Sequence, residues 1–141
     1  MHNINEEYIV RSLIPPKSIA SKGNATGAYV DMQGHKRLLA VVHLAAVAAE
    51  KSVKVEVLTS SDDTGTDAAV AKEVTYTAPI GGVTSHVEEI PLTVRHDYGR
   101  YVTVKITNEG SAAVLASAEL VADSSHYPEE RPADPAPVSG S

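Results

Sequence analysis

The stretch "RLLAVVHLAAVAAEK", residues 37–51, constrains this chain more than any other. Leu38 to Ala49 is twelve residues with one polar side chain, His43. Twelve apolar residues fall short of the roughly 20 that a bilayer-spanning helix needs. Two readings remain, a buried helix and a strand covered on both faces. Five of the twelve are Ala, the best helix former. The flanks favour the strand. Upstream, "GAYVDMQGHK" is rich in β-formers and closed by Gly34. Downstream, "SVKVEVLTS" sets Val53, Val55 and Val57 against Lys54 and Glu56, a period of two residues. The short polar "AAEKS" between the two runs predicts a hairpin. An unbroken apolar run further predicts that both faces of the first strand are covered, by a second sheet or by another subunit.

Composition agrees. The chain has 141 residues, enough for one domain with its own core, and it contains no Phe, no Trp and no Cys. The core must come from Val, Leu, Ile and Ala; β-branched Val suits a pleated surface. Disulfides and thiolate metal sites are excluded. The remaining candidate strands are 17–21, 27–32, 72–78, 85–94, 100–108 and 112–122. Of these, 85–94 contains Pro91 and is expected at an edge. "IGG" (80–82) and "NEGS" (108–111) are turn signals, the latter expected to close a hairpin. "AAVLASAELVA" (112–122) is Ala-rich and again readable as helix or strand. Seven or eight strands at regular spacing predict an all-β, antiparallel sandwich of jelly-roll or Ig-like type, spanning residues 17–125.

The two ends differ from this middle. Residues 1–16 carry Ile4, Tyr8, Ile9, Val10, Leu13 and Ile14 and stop at Pro15-Pro16. They form either an extra edge strand or an extended arm that docks on a neighbour; sixteen residues reach roughly 50 Å. On the docking reading, removing residues 1–14 leaves a folded domain that no longer docks. Residues 126–141 hold four Pro and few apolar groups, and are expected to be extended or disordered.

The formal net charge is −6, divided as +1 over residues 1–22, −5 over 23–125 and −2 over 126–141. With no basic stripe to neutralise phosphates, no direct nucleic-acid partner is expected. "MHNINEEYIV" lacks the basic and apolar regions of a signal peptide, and no membrane partner is expected. "SSDDTGTD" places Asp62, Asp63 and Asp67 around Gly65, with Glu73 twelfth from Asp62. The ligand spacing and glycine position do not match a calcium loop, so a solvated hairpin loop is expected. "RHDYGR" sets His96 beside Asp97, but adjacent strand residues point to opposite faces, so a turn is the better reading. His2, His35, His43, His86 and His126 show no metal-ligand spacing. His43 reads as a hydrogen-bonded core or interface histidine. No catalytic residue, metal site or cofactor is expected.

Four segments occur in an order that carries a resemblance: "GAYVDMQGHKRLLAVVHLAAVA" (27–48), "SSDDTGTD" (60–67), "RYVTVKIT" (100–107) and "AAVLASAELVADSSHYP" (112–128). Over about residues 18–128 the chain resembles small β-sandwich proteins of tailed bacteriophages, encoded close to the major capsid protein and regarded as head decoration or cement proteins. The chain departs from some relatives in its aliphatic N-terminal arm and in lacking a Trp near Tyr29. The resemblance implies a virion protein on the outer capsid surface that binds the major capsid protein and itself, as a trimer. Docking would fall to Tyr8, Ile9, Val10, Leu13 and Ile14, with His43 in the subunit interface and Tyr127 and Pro128 where the domain gives way to the tail. Two other classes stay open: a neck, tail or fibre-associated virion protein, and a carbohydrate-binding module. Against the module, Trp is absent and Tyr sparse, whereas sugar sites usually stack on exposed aromatics.

Overall fold

In a computed structural model, which describes residues 8–95 and 98–123, the run around His43 is a strand. Its alternation decides the matter. Leu38, Ala40, Val42 and Leu44 are buried, whereas Leu39, Val41 and Ala45 are half-buried and His43 is exposed. A helix would have buried these residues at intervals of three and four. Among the described residues no helix is long and apolar enough to cross a membrane.

Among the described residues nine strands form two antiparallel sheets, as the sequence predicts for a sandwich: β1 (Tyr8–Ile19), β2 (Asn24–Thr26), β3 (Val30–Asp31), β4 (Arg37–Val47), β5 (Ser52–Ser60), β6 (Ala69–Thr77), β7 (Val83–Thr93), β8 (Tyr101–Asn108) and β9 (Val114–Asp123). One sheet has the order β1-β9-β4-β7, the other β2-β8-β5-β6 with β3 also on β8. If β2 and β3 count as one interrupted strand, the first strand pairs with the last, the second with the second-last, and so inward to β5 with β6. This is a long hairpin wrapped over itself, the jelly-roll topology, which settles the choice between jelly-roll and Ig-like order.

Two expected hairpins are corrected by this topology. β4 pairs with β7 and β9, while β5 pairs with β6 and β8, so "AAEKS" crosses from one sheet to the other. Lys51 N–H donates to Ala48 O at 3.1 Å and Glu50 has φ 61°. β8 and β9 likewise lie in different sheets, so "NEGS" starts a second arch. Asn108 holds that arch from inside. Its Nδ2 donates to Ile19 O (3.0 Å) and Ala112 O (2.8 Å), and its Oδ1 accepts from Gly110 N–H (2.9 Å), with the residue 1 % exposed. A buried amide this fully satisfied fixes geometry without leaving an unpaired group.

β1 is the extra edge strand rather than a free arm. It pairs with β9 from Tyr8↔Asp123 to Ile19↔Val114, with irregularities on both sides of Ile14. Pro15 and Pro16 fall in the second irregularity. Pro91 sits in β7, at the other edge of the same sheet, whereas the central strands β9 and β4 contain no proline. That placement follows from proline's missing N–H. The irregularities let the successive residues Leu13 and Ile14 both turn inward, each 3 % exposed. Their expected role in docking on a neighbour is therefore corrected: both belong to this chain's own core. Removing residues 1–14 would take core side chains with it. The core between the sheets joins them to Leu44, Val42, Val53, Val55, Val57, Ile90, Val104, Ile106 and Leu120.

Candidate functional site

The two outer faces of the sandwich differ in chemistry. On the five-stranded sheet the outward positions of β5 are Lys54 and Glu56. Thr75 and Glu73 oppose them on one side, Thr107 and Lys105 on the other, with Asn24 and Thr26 beyond. This is a solvated face. The four-stranded sheet presents something else. Val10, Val121, Leu39 and Pro91 stand opposite one another in register, an apolar row across all four strands. Below it, Ser12, Glu119, Val41 and Glu89 form the next row, then Ser117, His43 and Val87, then Ser18, Leu115, Ala45 and Ser85. Val10 is 59 %, Leu115 51 % and Val87 44 % exposed. Pro16, His43, Ala45, Leu115 and Ser117 line a shallow, largely apolar hollow of about 300 Å³ in the same face.

Of the two faces of β4 expected to be covered, by a second sheet or by another subunit, the described residues of this chain cover one. The inner face is buried; the outer face has no covering layer among the described residues. Its extent follows from strand geometry: four strands at ~4.8 Å by six residues at ~3.3 Å give roughly 400 Å². Patches of this size on a monomer are often functional, yet a stable pairwise interface needs roughly 800 Å² per partner. One such face alone supports a weak contact. Glu119 and Glu89 flank Val41, so the face is apolar with an acidic tint.

The expected docking residues distribute as follows. Ile9 is half-buried and Val10 exposed; Tyr8 holds the register position opposite Asp123. Leu13 and Ile14 are buried. His43 is exposed, so its core reading is overturned, and it stands beside Ser117 and Val87. Tyr127 and Pro128 lie outside the described residues. Sequence reasoning missed Leu39, Val41, Val87, Leu115 and Val121 as a connected surface. The signal was present in the apolar odd-numbered positions of 39–45, but pairing decides which strands extend the patch.

The acidic loop between β5 and β6 is a hairpin loop, as expected. Asp62 Oδ1 accepts from the backbone N–H groups of Thr64 (3.2 Å), Gly65 (2.9 Å) and Thr66 (3.1 Å), and from the Thr64 hydroxyl (3.0 Å). Asp67 accepts from Ser61 N–H and Ser60 Oγ, both at 2.8 Å. The Thr66 and Thr64 donors, Thr66 N–H foremost, hold the half-buried Asp62 carboxyl well below the usual carboxylate range. Gly65, at φ 78°, packs on Tyr29 so closely that a Cβ would lie 2.5 Å from the phenol oxygen. Burial, then Asp62 and Asp67, pushes the Tyr29 hydroxyl pKa up. Asp62 Oδ1 and Asp67 Oδ1 are taken up by donors of the loop itself, and among the described residues no group of three or more His, Asp or Glu is placed to hold a metal ion. The turn expected at 95–100 is seen at its ends, with Tyr98 N–H donating to Arg95 O at 3.1 Å; His96 and Asp97 lie outside the described residues.

No family model matches this chain, and no curated protein matches it. Solved structures do. An exported protein, XepA of PBSX, matches with TM-score 0.56 at 10% identity, over 94% of this chain and 43% of that one. A chain in the structure of infectious bursal disease virus, Gx strain, matches with TM-score 0.54 at 9% identity, over 82% of this chain and 31% of that one. A carbohydrate-binding module, CBM4, matches with TM-score 0.51 at 10% identity, over 86% of this chain and 90% of that one. This chain therefore spans less than half the length of the first two and nearly all of the third. At these identities the likeness is one of fold: a β-sandwich.

Proposed function

We propose that this chain is a structural, non-enzymatic virion protein that decorates the outer surface of a bacteriophage capsid. In this reading it binds the lattice of the major capsid protein and acts as a homotrimer. The observation that carries the reading is the apolar face of β1-β9-β4-β7, uncovered among the described residues, opposite a face on the other sheet that carries Lys54, Glu56, Glu73 and Lys105. A domain built to stay alone would have no reason to keep Val10, Val121, Leu39 and Pro91 aligned towards water. A weak face becomes effective when it is repeated. On a shell, many copies linked as oligomers convert small contacts into high avidity. The two glutamates beside Val41 favour a partner surface that is apolar with a basic rim. The fold's likeness to a chain of a virus structure supports the reading as fold alone.

The test is mass spectrometry of purified, tail-free heads from the virus that encodes the chain. A decoration protein is present in copy number comparable to the shell protein. Recovery only with tails or necks would move it to another virion position. Absence from the virion, with specific binding on a glycan array, would replace the proposal with the carbohydrate-binding reading that the likeness to CBM4 keeps open.

A further inference from the structure

The arch between β6 and β7 carries the most exposed large apolar side chain among the described residues, Ile80 at 81 %. Its loop is not free to fold that side chain away. The Pro79 carbonyl accepts from Gly82 N–H at 2.8 Å and from Glu50 N–H at 3.3 Å, and Ala78 N–H donates to Lys51 O at 2.9 Å. Gly82 takes φ 72°, where a Cβ would lie 3.1 Å from Val47 O, so the tip is packed against the β4–β5 arch. Backbone bonds between the two arches thus hold Ile80 out at the end of the sandwich. Beside it is a second hollow, about 280 Å³, walled by Ala46, Ala48, Ala49, Gly81, Gly82 and Val83, and no charged residue lines it among the described residues. Ala46, at φ 59°, breaks the alternation of β4: Val47 turns into the core at 2 % exposure, and Ala46 stays outside. A Cβ on Gly81 would meet nothing within 4 Å, so the space over it is open among the described residues.

The hollow continues the apolar face of the four-stranded sheet. Ala46 and Thr84, which line it, follow directly along β4 and β7 from Ala45 and Ser85 in the last row of that face. The face alone, at roughly 400 Å², is about half of the roughly 800 Å² per partner that a stable contact needs. A contact that runs on over the end of the sandwich gains the walls of the hollow and the Ile80 side chain, which alone removes roughly 100 Å² from water when buried. Side chain and hollow share one chemistry, apolar and uncharged, and lie side by side on every copy, so each copy can give one and receive one. A loop already held in place adds little ordering cost. We propose, resting on the self-association in the reading above but not on the capsid, that Ile80 of one copy seats in the hollow formed by residues 46–49 and 81–84 of a second copy, extending the contact made by the four-stranded face.

Cysteine cross-linking tests it, because the chain has no Cys and introduced thiols are the only ones present. Ile80→Cys and Ala48→Cys, both at exposed positions, are made in separate full-length chains and mixed under mild oxidation. A disulfide forms only where the two Cβ atoms come within roughly 4 Å of each other. The expected product is a mixed disulfide between positions 48 and 80, identified by mass spectrometry, with none between Ala48→Cys and Thr75→Cys of the polar face. In sedimentation velocity, Ile80→Ser is expected to weaken self-association about tenfold. The loop's own bonds run through Ala78, Pro79 and Gly82, so this variant should fold as the wild type does. An oligomeric wild type whose variants give no 48–80 disulfide, or 80–80 disulfides in its place, would overturn the seating of Ile80 and leave the four-stranded face as the contact. Unchanged association of Ile80→Ser would overturn it too. A wild type that is monomeric at every concentration would instead overturn the self-association on which the seating rests.

Discussion

Replacing Asn108 by Ala probes what holds the wrapped hairpin closed. The amide makes three hydrogen bonds to backbone groups of two different segments, Ile19 at the end of β1 and Gly110 and Ala112 in the β8–β9 arch. Each such bond contributes about 1 kcal/mol net, and a partner left buried without one costs about 1–3 kcal/mol. With the site 1 % exposed, water is poorly placed to substitute. The loss should therefore be roughly 3 kcal/mol, a large part of the ~5–15 kcal/mol typical of a domain. Urea unfolding followed by circular dichroism reads it directly: at a slope of ~2 kcal/mol/M the midpoint falls by roughly 1.5 M. Thr107→Ala, next door but facing outward, should stay within ~0.5 kcal/mol. A loss below ~1 kcal/mol for Asn108→Ala would refute the pinning role.

Two further perturbations follow from the same geometry. Deleting residues 1–14 removes Leu13 and Ile14 from the core and bares the edge of β9, so the truncated protein should aggregate or unfold, read by size-exclusion chromatography; a monomeric, folded product would contradict the placement of β1. In the acidic loop, Asp62→Ala should speed amide exchange at Thr64 to Thr66, whereas Asp62→Asn keeps an acceptor oxygen and should speed it less. The pH dependence has a definite sign. A carboxyl whose folded pKa is depressed stabilises the loop above its unfolded value of about 4 and loses that contribution as pH falls through the folded value. Exchange at these amides, corrected for intrinsic rates, should therefore show constant protection from pH 7 to about 4 and decline below it.

Strand identity was legible because a period of two is written directly in residues 53–57 and 102–106. The apolar run at 38–49 was legible as a strand through its neighbours. Partnership was not. A short polar turn such as 48–51 looks the same whether it closes a hairpin or arches between sheets, and the choice depends on contacts from β9, seventy residues away. β1 was ambiguous for the same reason: Leu13 and Ile14 look adhesive until β9 supplies the partner. His43 misled because eleven apolar neighbours suggest burial, yet its parity in the strand points it outward. The adhesive face is thus a property of pairing, assembled from β1, β4, β7 and β9, and no single segment announces it.

The most direct measurement is sedimentation velocity of the full chain, wild type against Leu39→Lys/Val121→Lys on the apolar face and Thr75→Lys/Thr107→Lys on the polar one. Both substituted pairs are partly or wholly exposed, so all three proteins should fold. If the four-stranded sheet is the contact surface, wild type and the polar-face variant sediment as the same oligomer and the apolar-face variant as a monomer. An apolar-face variant that keeps the wild-type oligomer, or a wild type that stays monomeric at every concentration, would contradict it.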